Sequence, residues 1–458
     1  MFRSYSAALA CLVAGCTAEV GTTPTTVTPT QFKVRIENVA PYKQLKSGVF
    51  NVPVGKAGPG AIGPGDAFEV AFTAAKGQRL SFASMFGASN DWFIAPEAKG
   101  LALFDNGVAV TGDVTDRVFL WDVGTEVDEE PAVGPHTGPK QATSTDGPGA
   151  NDPNATVRRL VNPIPLSNGG SFMAPTVAQM VKVTLTNRGS EFRLRIENVA
   201  SDTTTLLTSE GPKPVRFSPG VFAVTTAGEP LFTDGQKDRG LGLELIAEMG
   251  NPADLGAAMK PLTGVATGNS PGVLVVHRER APLFALGEQD RGLGLERIAE
   301  DGQAQGLGDM LKKLQGESLS KVAVFDTPVG KENPSALPPG SAYELTVSAV
   351  PGERLSFVTM FGWSNDWFFG TPESGVQLFD GDQPLYGPIT GELKLYDLGS
   401  ELSEEPGVGS HTGPQQAEPN SGPLDPDRRV REVSADQYAH FVSDHLQVTL
   451  EPVDGARR

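Results

Sequence analysis

The chain has 458 residues, with 37 Lys plus Arg against 55 Asp plus Glu and a formal net charge of −18. That balance opposes nucleic-acid binding, which needs a basic surface to displace counterions from phosphates. Its 54 Gly, 37 Pro and only 7% aromatic residues suit an all-β protein rich in turns, long enough for two or three domains with cores of their own. It has no apolar run of eighteen or more residues, the length a spanning helix needs.

In chain order, the first segment reads as a secretory signal. Arg3 supplies the positive start, and Ala7 to Gly15 form an apolar stretch too short for a transmembrane helix. It ends Leu12-Val13-Ala14-Gly15-Cys16, which resembles the lipobox of bacterial lipoproteins and implies that Cys16 is acylated. An ordinary signal peptide with an incidental Cys16 is the bland alternative. The lipobox is preferred, because otherwise an unpaired thiol would be exported. The expectation is a lipoprotein signal peptide over 1–16, with membrane attachment through lipid at the outer membrane or cell surface. Residues 17–31 are Thr- and Pro-rich, too poor in apolar side chains to fold, and read as an extended linker. Cys11 and Cys16 are the only cysteines, so the exported domains depend on core burial or bound metal.

Beyond the linker the chain repeats itself. Arg79 to Ile94 matches Arg354 to Phe369 at twelve of sixteen positions, an offset of 275. The same offset relates VFNVPVGK (Val49 to Lys56) to VFDTPVGK (Val324 to Lys331), and Trp121 to Glu126 to Tyr396 to Glu401. FKVRIENVA (Phe32 to Ala40) meets FRLRIENVA (Phe192 to Ala200) at an offset of 160. A smaller tandem repeat, offset 52, pairs Pro230 to Gly250 with Pro282 to Gly302, each preceded by Ser-Pro-Gly-Val. This predicts a first domain over 32–190 and a second over 191–453, the second carrying the duplicated segment 218–302.

Phe32, Val34 and Ile36 alternate with Lys33, Arg35 and Glu37, the period of a strand with one buried face. Leu243, Ile246 and Ala247, ended by Gly250, predict a short helix with a glycine stop. The predicted fold is all-β: two tandem antiparallel β-sandwiches, the second with a partly helical insertion.

Several of these motifs together resemble the spondin amino-terminal domain. Phe217-Ser218-Pro219-Gly220-Val221, Gly242-Leu243-Glu244 and Ile246-Ala247-Glu248 resemble its first half. Ser364-Asn365-Asp366-Trp367-Phe368 and Tyr396-Asp397-Leu398-Gly399-Ser400-Glu401 resemble its second. The resemblance spans Phe192 to Val453 in full and Phe32 to Asn187 in truncated form. It implies an extracellular sandwich, similar to calcium-dependent membrane-binding domains, that serves adhesion. By the same resemblance the calcium ligands are Asp366, Asp397 and Glu401, with Asp91, Asp122 and Glu126 in the first copy. Calcium takes six to eight oxygens, so carbonyls and water must complete the shell. The bland reading is that each Asp caps a turn.

The acidic runs Asp128-Glu129-Glu130 and Glu404-Glu405 read as solvated faces, with extra calcium contact as the alternative, and Trp92 and Trp367 read as core anchors. Five scattered His give no zinc spacing. Gly268-Asn269-Ser270-Pro271-Gly272 fits a nucleophile elbow formally, but Pro271 has no N–H for an oxyanion. Gly240-Leu241-Gly242 lacks the third glycine of a dinucleotide fingerprint, and the Ser-Pro-Gly units read as turns. The expectation is a calcium-binding adhesion lipoprotein without catalytic residues, with an extracellular protein or polysaccharide as ligand. An envelope hydrolase using the paired carboxylates is the alternative.

Overall fold

A computed structural model of the chain describes residues 28–141, 149–316 and 318–453. The expected signal peptide, Cys16 and most of the linker lie outside the described residues. The linker ends earlier than expected, since Thr30 and Gln31 already belong to the first strand. No helix among the described residues is long and apolar enough to cross a membrane.

The principal elements are β1 (Thr30–Asn38), β2 (Lys46–Phe50), β3 (Ala67–Thr73), β4 (Arg79–Phe86), β5 (Trp92–Pro96), β6 (Val118–Asp122), β7 (Val181–Arg188), β8 (Glu191–Asn198) and β9 (Phe217–Thr225). There follow α1 (Leu243–Met249), α2 (Ala253–Met259), β10 (Asn269–His277), α3 (Leu295–Asp301), α4 (Gln305–Lys313), β11 (Leu319–Phe325), β12 (Ala342–Ala349), β13 (Arg354–Phe361), β14 (Trp367–Gly370), β15 (Lys394–Asp397) and β16 (Leu446–Pro452).

They build two antiparallel sandwiches of matching topology. In the first, a small sheet of order β3-β8-β7, edged by Gly112–Asp113, faces a larger one of order β6-β5-β4-β9-β2, edged by Arg158–Arg159. In the second, β12-β1-β16, edged by Gly387–Pro388, faces β15-β14-β13-β10-β11, edged by Arg431–Glu432. The all-β expectation therefore holds.

The division of the chain differs from the expected one. β1 lies between β12 and β16, in the second sandwich, while β8 lies between β3 and β7, in the first. β9, which begins at Phe217, pairs with β2 and β4. The first sandwich is thus one continuous stretch from β2 through α2, inserted between β1 and the rest of the second. A cut between 190 and 191 would split it. The cause is local. Arg188 pairs with Glu191, so only Gly189 and Ser190 join β7 to β8, and Gly189 holds a φ of 64°. A turn that tight returns the chain antiparallel to the strand just left.

Neither copy is truncated and neither holds the offset-52 segment twice. α1 packs on β4, β5 and β9, and α3 on β10, β13 and β14, so each sandwich has one helical pair. The predicted helix is present, flanked by Gly242 (φ 108°) and Gly250 (φ 64°). These helices cover the outer face of the large sheet: Leu243, Ile246 and Leu255 meet Phe93, Ala95, Val221 and Ala223. Leu295, Ile298 and Leu307 repeat this on Val273, Val275 and Phe368. β9 and β10 are consequently buried on both faces, whereas β1 buries one face, Phe32, Val34, Ile36 and Asn38.

The Ser-Pro-Gly units are bulges within strands rather than turns. The register of β9 against β4 shifts between Phe217 and Gly220, and that of β10 against β13 between Asn269 and Gly272. Pro219 and Pro271 fit there because a bulge needs no ladder N–H at that point.

Candidate metal centre

Asp91 immediately precedes β5 and Asp122 ends β6. Trp92 is in register with Asp122, so the two acids meet at one end of the large sheet. Trp367 opposite Asp397 repeats this in the second sandwich. The chain then turns sharply. Gly124 N–H donates to Asp122 Oδ1 at 2.5 Å, and Gly399 N–H to Asp397 Oδ1 at 2.7 Å. Gly124 has φ 76°, and a Cβ there would lie 2.5 Å from the Thr156 carbonyl oxygen, so only glycine fits.

The turn closes on the first acid. Asp91 Oδ2 accepts from the N–H groups of Thr125 (3.1 Å) and Glu126 (3.0 Å). Asp366 Oδ2 accepts from Ser400 (3.0 Å) and Glu401 (3.1 Å). One carboxylate oxygen is thereby satisfied in each copy. The other, Asp91 Oδ1 or Asp366 Oδ1, is buried without a hydrogen-bond partner among the described residues. Glu126 and Glu401 show the same division. Their Oε1 atoms accept from Gly149 N–H (2.7 Å) and Gly422 N–H (2.6 Å), and their Oε2 atoms are buried without a partner.

Further residues essential to this geometry were not assigned to it by position in the sequence. Asp128, from the run read as a solvated face with calcium contact as the alternative, is the third acid of the first cluster: Asp91, Asp122 and Asp128 bring oxygens within 4.8 Å of one another. Trp92, fully buried, donates its Nε1–H to Asp128 at 2.5 Å. In the second centre Ser403 takes that place, accepting from Trp367 at 3.4 Å and donating to Asp397 Oδ2 at 2.7 Å. Arg158 pairs with Asp122 and, at 2.6 Å, with Asp152, while Arg431 pairs with Asp397 (2.6 Å) and Asp425 (2.5 Å). Glu248 and Glu300 come in from the helices; Thr125 Oγ1 donates to Glu248 at 2.7 Å. The sequence carries a cue for the Asp–Arg pairs, because Asp152 to Arg158 recurs as Asp425 to Arg431 at an offset of 273.

The rest of each acidic run is also engaged. Glu129 binds His136 at 2.7 Å and Glu404 binds His411 at 2.8 Å. Glu405 reaches the first sandwich, pairing with Lys46 and accepting from Thr73 at 2.9 Å. The runs are thus half-buried and tied to neighbouring groups, while Glu405 stays exposed as the solvated-face reading expects. Trp92 and Trp367 are core anchors as expected.

Electrostatically these are sites where acids resist ionisation. Burial, reinforced by Asp122, pushes Asp91 well above the usual carboxylate range. Burial, then Asp128, raises Asp122 to about 7. Burial, then Asp397, raises Asp366 to about 8. Burial also raises Asp128, Asp397 and Glu401. Crowded, desolvated carboxylates of this kind favour whatever neutralises them: a proton, a guanidinium or a metal ion. Arg158 and Arg431 serve the outer oxygens, and the inward ones remain. An all-oxygen donor set with unpartnered oxygens suits a hard cation and offers nothing to a metal that wants sulfur or imidazole.

The chain matches no protein-family model, and no curated protein matches it.

Proposed function

We propose that the chain is an exported, lipid-anchored binding protein whose two spondin-like sandwiches each hold calcium at the acid-bearing end and present that end to an extracellular protein or polysaccharide. The observation that carries this reading is the buried pair of unpartnered oxygens, Asp91 Oδ1 with Glu126 Oε2, which recurs as Asp366 Oδ1 with Glu401 Oε2. Asp91, Asp122 and Asp128, flanked by Glu126, would hold the ion in the first sandwich; Asp366 and Asp397, flanked by Glu401, would hold it in the second. Bound calcium supplies positive charge that lets these carboxylates ionise together and stiffens the loops that carry them. A hydrolase reading gains nothing here, since no nucleophile–base pair recurs in both copies.

The test is thermal unfolding of the full chain with calcium and with chelator. A ligand that binds only the folded form adds about 2.7 kcal/mol at a hundred times its dissociation constant. Calcium should raise the melting temperature, Asp91→Asn together with Asp397→Asn should abolish the shift, and magnesium should do less because it dehydrates reluctantly. Identical melts in calcium and chelator, with no heat of binding, would return these acids to the role of buried turn residues.

A further inference from the structure

α3 ends on Glu300 and Asp301, and beside it opens a cavity of about 450 Å³ in the second sandwich, lined also by Pro271, Met360, Trp363 and Gln416. Glu300 Oε1 and Asp301 Oδ1 are both buried and have no hydrogen-bond partner among the described residues; Glu300 as a whole is 2% exposed. Arg297 on the same helix donates to Gln303 at 2.9 Å, and its charge acts on Asp301 without a hydrogen bond to it among the described residues. Trp363 is half-buried, and its ring lies against Gly407, where a Cβ would stand 2.4 Å away.

The sister sandwich is an internal control. At the positions of Asp301, Trp363 and Gly407 it has Met249, Ala88 and Ala132, while it keeps Met85 and Glu248 for Met360 and Glu300. Three differences therefore converge on one place: an apolar side chain becomes a carboxylate, a methyl becomes an indole, and a second methyl becomes hydrogen to admit that indole. Drift in a packing position does not explain why a carboxylate arrives with its oxygen left unpaired.

We propose that this cavity binds an organic cation, an alkylammonium or guanidinium group. Two carboxylates supply charge-assisted hydrogen bonds, the indole of Trp363 offers a cation–π face, and the Met360 thioether lines the rest with polarizable surface. A bare metal ion is the weaker fit, because two carboxylates are the only acids lining the cavity and the indole and thioether beside them offer a hard cation no oxygen. The proposal does not depend on calcium, and its test is run in chelator.

The full chain, labelled on its tryptophan indoles for NMR, is titrated with n-butylammonium, with an end-capped Gly-Lys-Gly peptide and with n-butanol. Both cations should shift the Trp363 resonance saturably, and the neutral alcohol should not. Asp301→Met should weaken binding about tenfold, and Trp363→Ala, followed by calorimetry, severalfold. Both changes install the sister sandwich's residue, so the fold has already accommodated them once. Tighter binding of the peptide identifies a partner's basic side chain as the ligand, and equal binding identifies a free amine. No saturable shift with either cation, or an unchanged affinity in Asp301→Met, overturns the proposal.

Discussion

The two sandwiches share a strand order, a bulge and a helical pair, and differ at their acid-bearing ends. The first gathers Asp91, Asp122 and Asp128 around one face and holds Asp122 and Asp152 with Arg158. The second has Ser403 for Asp128 and keeps the Asp–Arg–Asp clasp through Asp397, Arg431 and Asp425. One residue thus sets the charge of the centre while the scaffold beneath it is unchanged. The lesson is that the register of two strands and a glycine turn define where the acids meet, and the loop beyond decides how many arrive.

The largest effect should come from breaking the strand arrangement itself. Val34 and Leu194 are fully buried at matching places in β1 and β8. A buried charge without a partner costs about 4 kcal/mol or more. Val34→Asp should therefore unfold the second sandwich and spare the first, and Leu194→Asp should do the reverse. Limited proteolysis read by mass spectrometry distinguishes them: Val34→Asp should leave a protected fragment near 42–264. Cleavage confined to 42–190 would restore the simple tandem division.

An intermediate effect follows from exchanging the one residue that separates the centres. Asp128→Ser should lower the calcium affinity of the first sandwich about tenfold, and Ser403→Asp should raise that of the second by a similar factor, since oxygen-site affinity follows the count of charged ligands. Calorimetry of the two variants should give two-site isotherms that move in opposite directions. Movement in the same direction would show that the two ends do not act as separate sites.

The smallest effect should be the response to pH. The folded state holds protons on Asp122 to about pH 7 and on Asp366 to about pH 8, whereas an unfolded aspartate releases its proton near pH 4. Between those limits the native state binds more protons, so stability falls as pH rises. Calcium-free protein should melt several degrees higher near pH 5.5 than near pH 8. Excess calcium should reverse the slope, because the ion displaces those protons, and Ser403→Asp should steepen it in chelator.

Much of this was legible in the residues. Alternation in Phe32 to Glu37 identified a one-faced strand, and Gly250 marked the end of a helix whose apolar positions face the sheet. Asp91 and Asp122, with their counterparts, stand at a common end because they lie where adjacent strands begin and end, and the glycine turn brings Glu126 and Glu401 back to them. Which acid of the Asp128-Glu129-Glu130 run joins them was hidden, since three acids in a row look alike until the Trp92 indole selects one of them.

The repeats determined by themselves that there are two sandwiches, because identical strings of core residues bury identical surfaces. They did not determine which strand completes which sandwich. β1 and β8 carry nearly the same RIEN segment, and Asn38 and Asn198 each donate to two buried carbonyl groups in the same way, so either strand satisfies either slot. Only chain connectivity in three dimensions resolves that choice. The Gly189-Ser190 turn folds β8 back on β7, the first sandwich closes on its own strand, and β1 is left to pair with β12 and β16 at the far end of the chain.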